Sequence, residues 1–122
     1  MGIFKVDCVL VNPESPRKTV RVEDLLVDSD SEHTWIPGEA LRRAGIRVRK
    51  KDVSFLMANG QTIARDVGYA ILRTGEFETV DEVVFGHAGD LKLLGSRTLE
   101  GFPAVVDPRR KRLVAAGPVP AA

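Results

Sequence analysis

Cysteine occurs once, at Cys8, histidine twice, and tryptophan and tyrosine once each in the 122 residues of the chain. A single thiol excludes an internal disulfide framework and a cysteine-only zinc site, and it suits a reducing cytoplasm. No apolar run approaches the roughly twenty residues of a membrane-spanning helix, so no membrane partner is expected. The opening MGIFKVDCVLV carries Lys5 and Asp7 where a signal peptide needs an unbroken apolar core, and a cytoplasmic protein is predicted. Neither sign of charge dominates. Against 18 basic residues stand 17 acidic ones, and a net charge of +1 steers no nucleic acid to the surface. There is no glycine-rich phosphate cradle and no Ser/His/Asp arrangement, and neither a cofactor nor a metal is expected.

What is present suffices for one packed core. With 43% hydrophobic and 29% charged residues, wholesale disorder is excluded, and the length suits a single domain. We assign residues 1–115 to that domain and residues 116–122, rich in Ala and Pro, to a flexible tail.

Along the chain, Ile3 to Val11 alternates loosely and stops at the turn signal Asn12-Pro13. After a polar stretch, Thr19 to Val27 reads as a strand that becomes fully buried near its end. Pro37, Glu39 and Gly45 mark a short helix from Pro37 to Ala44. Val53 to Ala58 and Thr62 to Leu72 are strand-like and flank Asn59-Gly60, the strongest two-residue hairpin signal in the chain. Phe77 to Phe85 is a further strand, Gly86 to Asp90 a loop, and Leu91 to Leu94 a short apolar strand ended by Gly95. Ser96 is placed to cap a short helix through Leu99; Ala104 to Val106 returns as strand, and Asp107-Pro108 turns the chain toward Leu113 and Val114. About seven short strands with two brief helices predict an all-β, mainly β domain, closed or nearly so.

One local conflict stands out. The buried strand ending at Val27 runs straight into Asp28, Asp30 and Glu32, and such conflicts between burial and charge concentrate at functional sites. The stretch LLVDSDSEHTWIPGEALRRAGI resembles the active-site segment of the retropepsin-like aspartic proteases, with an apolar run, an Asp-Thr/Ser-Gly triplet, an apolar-Pro pair and a short helix ending in Gly. VSFLMANGQTIARDVG is similar to that family's flap hairpin, and LKLLGSRTLEGFPAVVDPRRKRLV to its second signature, two apolar residues and Gly before a helix. The likeness runs from about Val20 to Val114, with the three motifs in the right order.

The resemblance implies a closed barrel-like acid-protease fold and a homodimer acting on a peptide or protein substrate. Asp28 would be the catalytic carboxylate, supplied once by each subunit, and Ser29 would bond across the twofold axis. Ala58, Asn59 and Gly60 would tip the flap over substrate, Trp35 would line the groove or cover the core, and Leu93, Leu94 and Gly95 would support the active loop from beneath. The triplet departs from the family at its third position, where Asp30 replaces Gly and modifies the site by adding a carboxylate beside Asp28. An aspartic endopeptidase is therefore the leading reading, and a catalytically inactive dimeric module that binds peptides or proteins in the same groove is the alternative.

Asp28, Asp30, Glu32 and Glu39 imitate a calcium-binding loop, but His33 stands where that loop requires Gly, and Pro37 intrudes. His33 could tune the Asp pair or bind a metal, but a lone His in a polar turn reads as exposed, and His87, in the loop Gly86 to Asp90, has no visible partner. The basic runs Arg47 to Lys51 and Arg109 to Arg112 lack interleaved aromatics and read as solvated loops. Cys8 reads as a small buried hydrophobe.

Overall fold

The computed structural model describes residues 4–121. Ile3, where the first strand is predicted to begin, and Ala122 of the tail lie outside the described residues. The elements run β1 (Lys5–Asn12), β2 (Ser15–Val27), β3 (Thr34–Pro37), α1 (Gly38–Arg43), β4 (Lys50–Leu56), β5 (Thr62–Thr74), β6 (Phe77–Gly86), β7 (Leu93–Leu94), α2 (Ser96–Gly101), β8 (Ala104–Asp107) and β9 (Arg112–Ala115). The large sheet has the order β1-β2-β7-β3-β6-β5-β4, and a further pairing of β1 with β5 closes it into a ring. β4 hangs from that ring, while β8 and β9 form a separate two-stranded sheet. The domain is thus mainly β and closed, as its short alternating segments predict.

Two local irregularities shape the ring. Between the pairs Cys8↔Val22 and Val6↔Leu25 the register of β1 and β2 shifts. There Asp24 adopts a left-handed φ of 59°, and its N–H donates to Asp7 Oδ1 at 3.1 Å. A bulge of this kind bends and twists its strand. Beyond it, Leu26 and Val27 run parallel to Leu93 and Leu94. On β5, Gly68 lets Arg47 pass close by: a Cβ there would lie 2.7 Å from the Arg47 carbonyl oxygen. Past this point β5 leaves β4 and takes up β1, at Ile71 to Arg73.

The main core is filled by side chains such as Leu10, Leu25, Ile36, Leu41, Leu72 and Leu94, all fully buried. Cys8 lies in it at 1% exposure, and burial pushes its thiol pKa up, which suits an unreactive packing residue. A smaller cluster of Trp35, Val67, Val84 and Leu93 lies under the β4–β5 hairpin.

Several element boundaries differ from expectation for identifiable reasons. β2 starts at Ser15 because its polar N-terminal arm pairs with the end of β1, with Asn12 opposite Ser15. β3 was not foreseen as a strand: Thr34-Trp35-Ile36 is buried on both faces and carries no alternation to read. Pro37, with ψ 129°, sits at the N-cap of α1 rather than inside it. Among the described residues no helix is long and apolar enough to cross a membrane.

Candidate functional site

The strand that carries Asp28 is held on both edges at its last buried residue. Val27, 1% exposed, donates its N–H to the Phe4 carbonyl at 2.9 Å, and the Asp28 N–H donates to the Leu94 carbonyl at 3.0 Å. The chain then turns. Asp28 is half-buried, Ser29 and Asp30 are exposed, and the Ser31 N–H closes the turn on the Asp28 carbonyl at 3.2 Å. The Asp30 N–H donates to Asp28 Oδ1 at 3.0 Å, an Asx-type contact that orients the carboxylate. At the position where the family triplet has Gly, no left-handed backbone is required: the non-glycine residues with positive φ among the described residues are Asp24, Asp52 and Lys111. What Asp30 changes is charge, not backbone geometry.

The rest of the loop is sewn to the start of α2. The Ser96 N–H donates to the Ser31 carbonyl at 2.7 Å, and the Arg97 N–H donates to the Glu32 carbonyl at 3.1 Å. These bonds satisfy N–H groups that a helix start leaves without intrahelical partners. The expected Ser96 cap is therefore corrected: Gly95 occupies the N-cap, and no side chain caps the helix. Loop and helix come so close that a Cβ on Gly95 would lie 2.4 Å from the His33 carbonyl oxygen and 2.6 Å from that of Glu32.

The β4–β5 hairpin lies over the smaller cluster. Its tip is a three-residue loop, with the Met57 N–H on the Gln61 carbonyl at 2.8 Å and the Gly60 N–H on the Met57 carbonyl at 2.9 Å. Gly60, at φ 85°, is the left-handed residue that this loop requires, so Asn59-Gly60 does not form the expected two-residue turn. Ala58, Asn59 and Gly60 are exposed at the tip. The inner face of the hairpin, Val53, Phe55, Met57 and Ile63, packs on Trp35, Val67, Val84 and Leu93. The rings of Trp35 and His33 each meet Phe55 edge-on, with centroids 5.2 Å apart. Trp35 is 7% exposed, so its ring forms the floor beneath the hairpin rather than an open wall.

Ion pairs fasten both arms of the hairpin. Glu82 on β6 accepts from Lys50 on β4, and from Arg97 NH1 at 3.2 Å, with His33 Nε2 3.6 Å away. The Lys50 ammonium holds the Glu82 carboxyl below the usual carboxylate range despite partial burial. His33, read from its polar neighbours as exposed, is thus half-buried: the Arg97 guanidinium also lies 3.1 Å from its Nε2. On the other arm, Arg65 grips Asp90 with two bonds, 2.7 and 3.0 Å, and the Asp90 pKa is lowered by that contact. The basic run is likewise engaged, with Arg47 on Glu14 at 2.9 Å and Arg49 5.1 Å over the Tyr69 ring.

The chain's own residues therefore bring together Asp28, Asp30, the loop through Thr34 and the Leu93-Leu94-Gly95 segment. The hairpin stands as a separate element anchored beside them. Among the described residues no three of His, Cys, Asp and Glu converge as a metal-holding group. Sequence reasoning missed Thr34, Asp81, Glu82, Arg97, Thr98 and Phe55. A threonine inside a helix as short as α2 was the one visible hint. No family model matches the chain, and no curated protein matches it.

Proposed function

We propose that this chain is an aspartic-type endopeptidase of the retropepsin-like kind, acting in the cytoplasm as a homodimer in which Asp28 of each copy faces its twin. The observation that carries the reading is the exit of Asp28 from the end of β2, where Leu25 and Val27 are buried, with its N–H on the Leu94 carbonyl and its Oδ1 accepting the Asp30 N–H. The hairpin anchored beside it supports a flap role for Ala58, Asn59 and Gly60. Two such carboxylates a few ångströms apart share one proton, because both cannot ionise together.

The ionised member takes a proton from water as its oxygen bonds to the scissile carbonyl carbon. The protonated member gives its proton to the carbonyl oxygen. As the resulting diol collapses, the carboxylate that gave its proton takes one back from a diol hydroxyl, the C–N bond breaks, and the carboxyl that took its proton from water gives it to the leaving nitrogen, with no covalent intermediate. Ser29 would steady the two loops against each other across the axis.

Asp30 favours a second reading, in which the same dimer binds peptides without cleaving them. It is exposed next to Asp28, and in a dimer it adds two carboxylates whose charge opposes ionisation of the pair. Cleavage of a mixed peptide library between mild acid and neutral pH tests the choice. The peptidase reading predicts turnover by the native chain and none by Asp28→Asn, whereas equal inertness of both forms leaves the binding module.

A further inference from the structure

A buried chain of hydroxyl groups runs from the active loop to a carboxylate that the proposed chemistry does not use. The Leu94–Gly95 peptide group is gripped at both ends: its carbonyl accepts from the Asp28 N–H at 3.0 Å, and its N–H donates to Thr34 Oγ1 at 3.0 Å. Thr34 Oγ1 lies 2.6 Å from Thr98 Oγ1, and Thr98 Oγ1 donates to Asp81 Oδ2 at 2.9 Å. The other carboxylate oxygen, Oδ1, accepts the Glu82 N–H at 2.7 Å, which fixes the rotamer, and Arg97 NH2 stands 3.8 Å from it. Thr34 and Thr98 are fully buried, and the Asp81 side chain is 10% exposed.

The direction of every proton follows from this end. A carboxylate only accepts, so Thr98 gives its single proton to Asp81 and must accept from Thr34. Thr34 then has no proton left, and its oxygen accepts the Gly95 N–H. Each hydroxyl is used once as donor and once as acceptor, and Asp81 sets the polarity of the whole chain. We propose that Asp81 is a positioning residue for Asp28: through Thr98 and Thr34 it holds the peptide plane whose carbonyl anchors the Asp28 backbone. The inference rests on the reading of Asp28 as the reacting carboxylate, but its geometry is independent of turnover.

The test compares backbone amide exchange in the native chain with that in Asp81→Ala, Thr98→Val and Thr98→Ser. Val keeps the size of Thr without its hydroxyl, and Ser keeps the hydroxyl without the methyl. Exchange of the Gly95 and Asp28 amides should accelerate about tenfold in Asp81→Ala and Thr98→Val, the scale of one lost buried hydrogen bond, and should stay near native in Thr98→Ser. Amides of the β1–β2 ladder, where Val9 pairs with Arg21 and Leu10 with Val20, serve as the internal reference and should keep their native rates. A residue that only fills space would give the reverse order, with Val harmless and Ser costly. If Asp81→Ala does not fold, the two Thr98 variants decide. Where the native chain cleaves peptide, Thr98→Val should lower kcat about tenfold with KM kept; where it cleaves nothing, the peptidase reading falls and exchange alone judges the positioning role. Gly95 exchange in Thr98→Val within about twofold of native would overturn it.

Discussion

Replacing Gly95 by Ala puts a methyl group where the loop after Asp28 crosses the start of α2. The added Cβ would lie 2.4 Å from one backbone oxygen and 2.6 Å from another, those of His33 and Glu32, and neither can swing aside as a side chain could. The loop must retreat by about 1 Å, and overpacking of this kind costs about 1–3 kcal/mol. Retreat also stretches the Gly95 bond to Thr34 and the Ser96 bond to Ser31, each worth about 1 kcal/mol. The sum, about 3–5 kcal/mol, is a large part of the roughly 5–15 kcal/mol that holds a domain folded. The midpoint of thermal unfolding should fall by about 10–20 °C for a chain of this length. Gly60→Ala is the matched control. Its φ of 85° strains any side chain, but nothing lies within 4 Å of the added methyl, so about 1 kcal/mol is expected. Urea unfolding followed by circular dichroism, at one protein concentration for all variants, reads both values. If Gly95→Ala costs no more than Gly60→Ala, the close crossing is not what the loop after Asp28 depends on.

Three further outcomes follow from the same contacts. Glu82 and Asp90 have carboxyl pKa values lowered by Lys50 and Arg65 respectively, so the stability they contribute is full at neutral pH and is lost as acid carries the pH down through those lowered values. Below about pH 4, Glu82→Gln and Asp90→Asn should therefore lose less stability than the native chain does, which acid titration of the unfolding midpoint checks. Phe55→Ala removes the ring between His33 and Trp35 and should cost about 2 kcal/mol while wetting the only tryptophan, seen as a red shift of its emission. Asp30→Gly removes the extra charge without a backbone demand. On the peptidase reading it raises turnover on peptides or extends it toward neutral pH, and unchanged turnover would show that Asp30 does not restrain the pair.

What the sequence discloses here is what local pattern controls. β5 and β6 are readable because β-branched residues and turns at Asn59-Gly60 and Thr74-Gly75 bracket them, and the buried exit into Asp28 is readable as a clash of apolar run and charge. β3 is hidden because three buried residues followed by Pro37 look like a loop before a helix. His33 seemed exposed because its neighbours in sequence are polar, yet its burial is supplied by Phe55, Glu82 and Arg97, brought near by the ring closure. Thr34 and Thr98 lie 64 positions apart, and no periodicity within either segment could announce that their hydroxyls meet. The turn at Asn59-Gly60 was placed correctly, but its loop is longer because Gly60 alone takes the left-handed conformation.

The claim on which both functional readings stand is that two copies of this chain bring their Asp28 side chains face to face. Asp28→Cys tests it without any need for turnover, since Cys8 is buried and offers no competing thiol. A disulfide needs Cα atoms within about 7 Å, so mild oxidation of the variant should give a reducible covalent dimer that the native chain does not form. A variant that stays monomeric under oxidant, at concentrations where sedimentation finds the native chain either single or paired, would contradict the shared site.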